Sequence, residues 1–425
     1  MEMAVFPKSH GQQGALLKPE TIRIIDVWIG RILCLGLTLV RRLWDLLGGR
    51  DEKKQAVRRI LFIKLIEQGA TVLAYSAIAR AVRMVGRENV YFCVFEENRE
   101  IVHVLGLIPP ENILSVRHRR FSSFVWDMAR LLLKVRRLGI DATVDMEFFA
   151  RASAILAFLT GARRRVGLHR FTGEAPYRGD LLTHRVSYNP YLHTAKAYHL
   201  LVAALEADPE DTPLVKLAAG DLEEEAPEFQ PAEEERRRVT ALLGEAFSGF
   251  PARPLVLLNP NASDMLPLRK WETGRFVELG KRLLAADDRM GIVVTGAPSE
   301  AESAREVARL LASDRVVCLA GKTSLRELLV LYGLADVLVT NDSGPGHFAS
   351  MTNIQSIVLF GPETPALFGP IGGRGKTLYA NLACSPCVNV FNHRFSPCRN
   401  NRCMQAISVE EVFHAVQSCL LGRVS

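Results

Sequence analysis

The chain has 425 residues, of which 48% are hydrophobic and 23% are charged. This composition excludes a largely disordered protein, and the length is too great for one ordinary core, so two domains with extensions are expected. Lys and Arg number 53 against 46 Asp and Glu, which gives a net charge of +7.

The positive charge is clustered at residues 41–42, 117–120, 136–137 and 163–165. Such clusters favour anionic partners, and phosphate groups on small molecules or lipids fit better than nucleic acid, because basic and aromatic residues do not interleave. Solvated helix faces are the alternative explanation for any single cluster.

Residues 1–14 are polar and lack the apolar core of a cleavable signal peptide, so a cytoplasmic location is expected. An apolar run at 32–40 is too short to span a bilayer. Two alternatives fit segment 22–44: a helix packed on the protein's own body, or an amphipathic helix on the inner-membrane surface with its apolar sides formed by Trp28, Leu33, Leu35, Leu39 and Trp44. We assign residues 1–54 to an N-terminal extension.

Residues 58–64 predict a buried parallel strand, followed by a glycine-containing turn and a helix over 71–85. Further strands are predicted at 90–95, 113–116 and 142–146, with helices over 121–138 and 148–159. This alternation is typical of a Rossmann-like domain, which we place at 55–213.

An acidic, proline-punctuated stretch at 214–235 is the expected linker. A second strand series follows at 254–259, 291–295, 316–319, 337–340 and 356–360, within a domain at 236–425. The fold class is therefore α/β, with two Rossmann-like, doubly wound parallel sheets facing a central cleft. The last helix, 409–421, is expected to pack across the domain junction.

The segment 339–347, Val-Thr-Asn-Asp-Ser-Gly-Pro-Gly-His, joins a predicted strand to a predicted helix. Asp342 or Ser343 can cap the helix, Pro345 suits its first turn, and the small Gly344 and Gly346 let backbone N–H groups approach an anion. His347 can add a donor. The pattern predicts a diphosphate site, with an ordinary capped helix as the alternative.

Three more predicted strands end in loops that suit a nucleotide. The segment 259–263, Asn-Pro-Asn-Ala-Ser, precedes Arg269 and Lys270, a pair of cations that can neutralise a leaving diphosphate or be plain surface charge. Small residues follow the next two strands at 295–300 and 320–325, where Glu300 can hold ribose hydroxyls.

These motifs, together with residues 319–328 and 358–365, resemble the bacterial heptosyltransferases, the lipopolysaccharide-core transferases of GT-B fold (glycosyltransferase family 9). The resemblance is strong over 254–370 and weaker over 58–205. It implies inverting, metal-independent transfer from a nucleotide-sugar, typically ADP-heptose, to a lipid-linked saccharide at the inner face of the membrane.

The resemblance also implies roles for individual residues. Arg269 takes the place of the family's phosphate-binding lysine, which keeps the charge but changes its geometry. The expected donor-binding residues are Ser263, Arg269, Lys270, Thr295, Gly296, Glu300, Thr323, Ser324, Leu325, Asp342, Ser343, Gly344, Pro345, Gly346 and His347. The expected acceptor-binding residues are Lys64, Gly69, Arg119, Arg120 and Arg164.

One departure affects the mechanism, because the sequence has Ala70 where the family carries an aspartate regarded as the general base. Glu67, in the same loop, is our candidate for this catalytic role. Another carboxylate, a different acceptor geometry or loss of activity are the alternatives, so a catalytically silent nucleotide-sugar binding or scaffold protein is the second functional hypothesis. A nicotinamide-dependent oxidoreductase is disfavoured, because Gly-x-Gly-x-x-Gly does not follow the first strand.

Cys384, Cys387, Cys398 and Cys403 lie within twenty residues, a spacing that admits a structural metal. Disulfides are a second possibility, and a cytoplasmic location argues against them. Reduced structural thiols are the favoured interpretation, so neither a metal nor a cofactor is expected beyond the nucleotide-sugar substrate.

Overall fold

The computed structural model describes residues 19–47, 56–118, 121–169, 178–248, 253–262, 266–392 and 394–422. The chain begins with a long helix, α1, over Pro19–Leu46. Two α/β domains follow it, each built on a six-stranded, fully parallel sheet. The predicted fold class of two doubly wound parallel sheets is therefore confirmed.

The first domain alternates strands and helices in chain order. Its strands are β1 (Ile60–Ile63), β2 (Val90–Phe95), β3 (Ile113–Val116), β4 (Ala142–Asp145), β5 (Arg164–His169) and β6 (His184–Ser187). Its helices are α2 (Gln68–Leu73), α3 (Tyr75–Val85), α4 (Arg99–Leu105), α5 (Phe121–Leu138), α6 (Arg151–Leu159) and α7 (Thr194–Ala203). The sheet order is β3-β2-β1-β4-β5-β6, the arrangement of a Rossmann sheet.

The second domain repeats this arrangement. Its strands are β7 (Leu255–Asn259), β8 (Gly291–Val294), β9 (Val316–Cys318), β10 (Val337–Asn341), β11 (Gln355–Phe360) and β12 (Gly375–Tyr379). Its helices are α8 (Glu233–Ala246), α9 (Thr273–Ala286), α10 (Ala301–Leu311), α11 (Leu325–Leu334), α12 (Gly344–Ala349), α13 (Pro365–Phe368), α14 (Arg402–Gln405) and α15 (Val409–Leu421). The order β12-β11-β10-β7-β8-β9 is that of the first sheet read from the opposite edge.

Strand β1, at the centre of the first sheet, is apolar along its whole length because helices cover both faces of the sheet. All four residues of β1 are fully buried. On one face of the first sheet, Leu61 and Ile63 pack with Leu131 of α5 and Leu156 of α6. On the other face, Ile60 and Phe62 join the core beneath α2, α3 and α7.

Helix α15 packs on α9 and on strands β10 and β11, within the core of the second domain. The expectation that it crosses the domain junction was therefore wrong. Val412 and Val416 are fully buried there, and this burial fixes the helix to its own domain. Helices α2 and α12, two short helices that begin at the carboxyl edges of the two sheets, pack on one another across the junction.

Candidate active site between the two sheets

The half of the candidate site that belongs to the first domain forms where β1 and β4 end. Lys64, whose side chain is fully buried, extends its Nζ to within 3.2 Å of Glu67 Oε2 and 3.1 Å of Glu147 Oε2. The other oxygen of Glu147 accepts a hydrogen bond of 2.7 Å from the backbone N–H of Leu65. Neighbouring parallel strands end at one edge of a sheet, so these loops meet there.

Glu67 lies directly before α2 with a left-handed backbone, at φ 72°. Residues other than glycine rarely adopt this backbone conformation, and they do so most often where the surrounding structure imposes it. Two cations surround the carboxylate: Lys64 on its own side of the cleft, and Arg394, which donates from the second domain. The backbone and both partners therefore fix the direction of the Glu67 side chain.

The charges continue into the second domain without a break. Arg394 donates to Glu363 at 2.9 and 3.1 Å. Glu363 also forms an ion pair of 2.8 Å with Arg269. The Nε of Arg269 lies 3.4 Å from Asp342 Oδ2. Burial raises the pKa of Glu363 above its usual range, although Arg269 opposes the shift, and burial lowers the pKa of Arg394 to about 10. We call this set the cleft ion chain; its members are Lys64, Glu67, Glu147, Arg394, Glu363, Arg269 and Asp342.

The loop and helix over 342–347 lie where β10 ends, as the sequence predicted, but the predicted side-chain cap is not made. The hydroxyl of Ser343 donates back to the carbonyl of Asn341 at 3.1 Å instead of accepting from the helix. The first amides of α12 are therefore not capped by this side chain, and Gly344 and Gly346 keep side chains away from them.

His347 is buried at the junction, and its Nδ1 has no hydrogen-bond partner within the part of the chain that the structure describes. Burial, with the nearby His193 and Arg269, lowers the pKa of this imidazole to about 3, so it is neutral at physiological pH. A buried polar atom without a partner is uncommon, and it is available for a ligand.

Gly69 lies against residues of the second domain. A Cβ at this position would lie 2.5 Å from Cδ2 of His347 and 3.4 Å from Cα of Gly344. Only glycine fits without displacing the α12 loop, because carbon atoms in contact are normally at least 3.5 Å apart. Gly69 thus sets the spacing between the loop that follows β1 and the 342–347 loop.

The remaining predicted donor residues lie at the same edge of the second sheet, and several already have partners. Thr295 accepts from the side-chain amide of Asn259 at 3.3 Å. The Glu300 carboxylate accepts from the N–H of Ala297 at 2.9 Å, and Ser324 caps α11. Gly296, Thr323 and Leu325 line the same loops, and Lys270 follows Arg269 before Trp271. Ribose binding by Glu300 would therefore have to share a capping carboxylate.

Three predicted residues, Ser263, Arg119 and Arg120, lie outside the described residues. Arg164 is described, but it begins β5 at the amino edge of the sheet and donates to the carbonyl of Leu205. Its position does not support the expected acceptor role, because the cleft lies at the opposite edge. The adjacent Arg165 is buried and donates to the carbonyls of Leu181 and Ala162, at 2.6 Å each.

Sequence reasoning missed Glu147, Glu363 and Arg394. The first two follow β4 and β11, so a search of all strand ends for carboxylates would have found them. Arg394 has no comparable signal, because it lies in a loop between a 3₁₀ turn and α14.

The eight cysteines are free thiols in the structure. Cys384 and Cys398 are exposed, Cys387 is half-buried and Cys403 is buried. Among the described residues, which leave out His393, no three His, Cys, Asp or Glu side chains are grouped to hold a metal ion. The Sγ of Cys387 accepts from Ser396 at 3.2 Å, a contact that suits a structural thiol.

A cavity of about 520 Å³ opens beside the junction. It is lined by α7 and its preceding loop, with His193 and Lys196, and by residues 365–373 of the second domain. His193 bridges the halves through Gly369, whose carbonyl oxygen lies 3.1 Å from its Nε2. The described residues that line this cavity include no member of the cleft ion chain and none of residues 342–347. No helix in the described ranges is long and apolar enough to cross a membrane.

Two Rossmann-like domains whose carboxyl edges meet at one cleft define the GT-B architecture. The family model "Glycosyltransferase family 9 (heptosyltransferase)" matches residues 128–394. Because this match covers more than half of the chain, the protein belongs to glycosyltransferase family 9, as the sequence motifs indicated.

Individual relatives match over shorter stretches. The chain is 26% identical over 167 residues to lipooligosaccharide heptosyltransferase 2 of Campylobacter jejuni, covering 38% of this chain and 50% of the relative. It is 30% identical over 135 residues to lipopolysaccharide heptosyltransferase 2 of Escherichia coli, covering 31% and 38%. The chain therefore spans about half, or less, of these relatives' length.

The solved structures extend the likeness to the whole fold. The ADP-heptose lipopolysaccharide heptosyltransferase II of E. coli superposes with a TM-score of 0.66 at 19% identity, over 86% of this chain and all of that one. The glycosyltransferase family 9 protein of Veillonella parvula gives 0.65 at 17% identity, over 87% and 100%. At these identities the likeness establishes the fold.

Proposed function

We propose that the protein is an inverting glycosyltransferase that moves heptose from ADP-heptose to a lipopolysaccharide-core sugar or a related glycolipid. Family membership and the relatives named heptosyltransferases support this proposal, as does the similar fold of E. coli WaaC, which was solved with ADP. The observation that carries it is the 342–347 loop at the junction, where Ser343 does not cap α12 and the buried Nδ1 of His347 has no hydrogen-bond partner among the described residues. We place the reaction at the cytoplasmic face of the inner membrane.

In this proposal the backbone N–H groups of Ser343 and Gly344 and the side chain of Arg269 bind the donor's diphosphate, because Pro345 has no N–H and that of Gly346 already donates to the Ser343 carbonyl at 3.1 Å. In the structure Arg269 forms ion pairs with Asp342 and Glu363. When the donor binds, its phosphate oxygens would replace these carboxylates as the partners of Arg269. Loops 295–300 and 320–325 provide the surface for the nucleoside. A guanidinium is most effective in such a site because water is largely excluded and the group is already oriented.

The acceptor hydroxyl then attacks the anomeric carbon. A carbon–oxygen bond forms there as the bond to the phosphate oxygen breaks, the nucleoside diphosphate leaves, and the hydroxyl proton passes to a base. We assign Glu67 as this base, because it faces the cleft and its direction is fixed by Lys64 and Arg394. An inverting reaction needs one such group near the attacking oxygen.

Substituting the base tests this mechanism. Glu67→Gln keeps the size of the side chain and is expected to lower kcat about 10²- to 10⁴-fold while leaving donor binding unchanged. Glu245→Gln, an exposed glutamate on α8, is the matched control and should behave as wild type. Unchanged transfer by Glu67→Gln, with loss in Glu363→Gln, would move the base to the second domain.

Donor identity is tested by the thermal shift caused by ADP-, GDP- and UDP-sugars, because a ligand that binds the native state raises its stability by mass action. ADP-heptose is expected to give the largest shift. If it stabilises the protein but wild type transfers nothing to a glycolipid acceptor, the silent nucleotide-sugar binding protein suggested by Ala70 is the correct reading. If no nucleotide-sugar stabilises the protein, the proposal is wrong.

A further inference from the structure

Helix α1 attaches to the first domain through its polar side. The Oδ1 of Asp26 accepts the backbone N–H groups of Arg151 and Ala152, each at 3.0 Å, and its Oδ2 pairs with the buried Arg151 guanidinium at 3.1 Å. One turn after another, the small or polar Gly30, Cys34 and Thr38 are buried against the domain. The inward face of this helix is therefore held by hydrogen bonds and charge, not by an apolar stripe.

The far end of the helix is held in the same way. Thr38 Oγ1 accepts from the N–H of Asp180 at 2.9 Å, and the Arg41 guanidinium pairs with the Asp180 carboxylate at 2.9 Å. Gly179 approaches so closely that a Cβ there would collide with Thr38. These contacts fix the rotation of α1 about its axis, and so decide which residues face outward.

From Ile24 to Leu46 the outward face of α1 is apolar, the reverse of an ordinary surface helix. Trp28 is 66% exposed, Ile32 is 72% exposed and Trp44 is 69% exposed. Between residues 24 and 47, the exposed charged side chains are Arg31 and Arg42, and no exposed residue there is acidic. The other large exposed apolar residues are Ile24, Ile25, Ile29, Leu33, Leu35, Leu39, Val40, Leu43, Leu46 and Leu47.

Helix α5 adds a second patch on the same side of the domain. It shares the core beneath one sheet face with α6, on which α1 packs. Trp126 is 62% exposed and Leu133 is 56% exposed. The exposed charged residues over 122–138 are all basic: Arg130, Lys134, Arg136 and Arg137. Both helices therefore present tryptophan and aliphatic side chains together with positive charge.

We propose that the outward faces of α1 and α5 form a membrane-docking surface that lies in the interface of an anionic lipid bilayer. The exposed apolar residues of α1 run from Ile24 to Leu46, a length of about 34 Å, and an exposed apolar stripe of that length is far beyond what a free soluble surface shows. Tryptophans are suited to the depth of lipid headgroups, and arginines to their phosphates.

The charges favour lipid over a second copy of the chain. A two-fold contact through this surface would place basic residues of one copy opposite basic residues of the other, because the exposed charged residues described on both helices are all basic, and like charges facing one another oppose association. Anionic headgroups neutralise the same residues. The surface is also well placed for a lipid-linked acceptor, because Arg151, which holds α1, begins α6 only four residues after Glu147 of the cleft.

The test uses the full chain and vesicles of phosphatidylcholine, with or without phosphatidylglycerol, in a flotation assay. Wild type is expected to float with the anionic vesicles, and less so with pure phosphatidylcholine or at high salt. Ile32→Glu combined with Trp44→Glu should weaken binding at least about tenfold. Leu310→Glu, an exposed leucine on α10 of the second domain, is the matched control and should bind as wild type.

Both substituted residues are exposed, so the unfolding temperature of the double variant should match that of wild type and confirm folding. The thermal shift with ADP-heptose should also be unchanged, which separates this inference from the donor proposal. Equal flotation of wild type and double variant, or no flotation of wild type, would overturn the inference. A dimeric wild type that becomes monomeric on the double substitution, without vesicle binding, would assign the surface to a second copy.

Discussion

Replacing Gly69 by alanine tests the contact that sets the spacing of the cleft. The added methyl carbon would lie 2.5 Å from Cδ2 of His347, so one of the two must move by about 1 Å to reach a normal contact. Overpacking of this kind costs about 1–3 kcal/mol. Alanine in α2 recovers about 0.5–1 kcal/mol of helix propensity, which leaves a net loss of stability between roughly zero and 2.5 kcal/mol.

The effect on the reaction should be larger than the effect on stability. A displacement of about 1 Å between acceptor and donor groups can cost about 100-fold in rate, so kcat/KM for transfer from ADP-heptose is expected to fall by about that factor in Gly69→Ala. Initial rates and thermal unfolding measure the two quantities separately.

Gly333→Ala is the matched control, because Gly333 is a helical glycine in α11 and a Cβ there meets nothing within 4 Å. It should keep the wild-type rate and gain up to about 1 kcal/mol of stability. If Gly69→Ala behaves in the same way, the two domains do not meet tightly at this point and our account of Gly69 is wrong.

Three further substitutions test other features. The pKa of His347 is about 3 when folded and near 6.5 when unfolded, so the unfolded chain takes up the proton first and stability falls by about 1.4 kcal/mol per pH unit below pH 6.5; His347→Asn should flatten this dependence in urea unfolding. Arg178→Ala leaves the buried Asp145 carboxylate without its 2.8 Å ion pair and should cost about 3–5 kcal/mol in the same assay. Gly179→Ala should displace α1 by collision with Thr38, which faster trypsin cleavage within α1 would reveal.

Controls separate these effects from general damage. Gly161, like Gly179, has a positive φ, but a Cβ there meets nothing within 4 Å. Gly161→Ala should therefore show the backbone cost without exposing α1, and equal proteolysis of both variants would contradict the collision. For His347→Asn, a slope with pH equal to that of wild type would mean that the imidazole is accessible to protons in the folded state.

The framework of the fold could be predicted because buried parallel strands leave a continuous apolar signal. The run Ile-Leu-Phe-Ile of β1 is such a case. Strand β5 was missed because Arg164 and Arg165 suggested a basic surface. Arg165 is buried only because carbonyls brought by the chain at 181 and 162 accept its hydrogen bonds, and no local pattern reports such partners.

The site was predictable to the same limited extent. The 342–347 loop could be predicted because its glycines and proline constrain the local backbone. The cleft ion chain could not be predicted, because its members come from distant segments of the sequence. Arg394 and Glu67 are 327 residues apart in the sequence, so their pairing depends on how the two domains assemble.

The cleft ion chain also has a consequence for product release in the proposed reaction. Arg269 and Arg394 each hold a carboxylate of the protein itself, so an anion that departs from them is replaced at once by Glu363. Neither guanidinium is therefore left without a counter-charge after the anion departs. An unpaired charge in a site from which water is excluded would cost several kcal/mol. In the proposed reaction Glu363 thus takes the place of the departing diphosphate, and this exchange favours rapid release of the spent nucleotide.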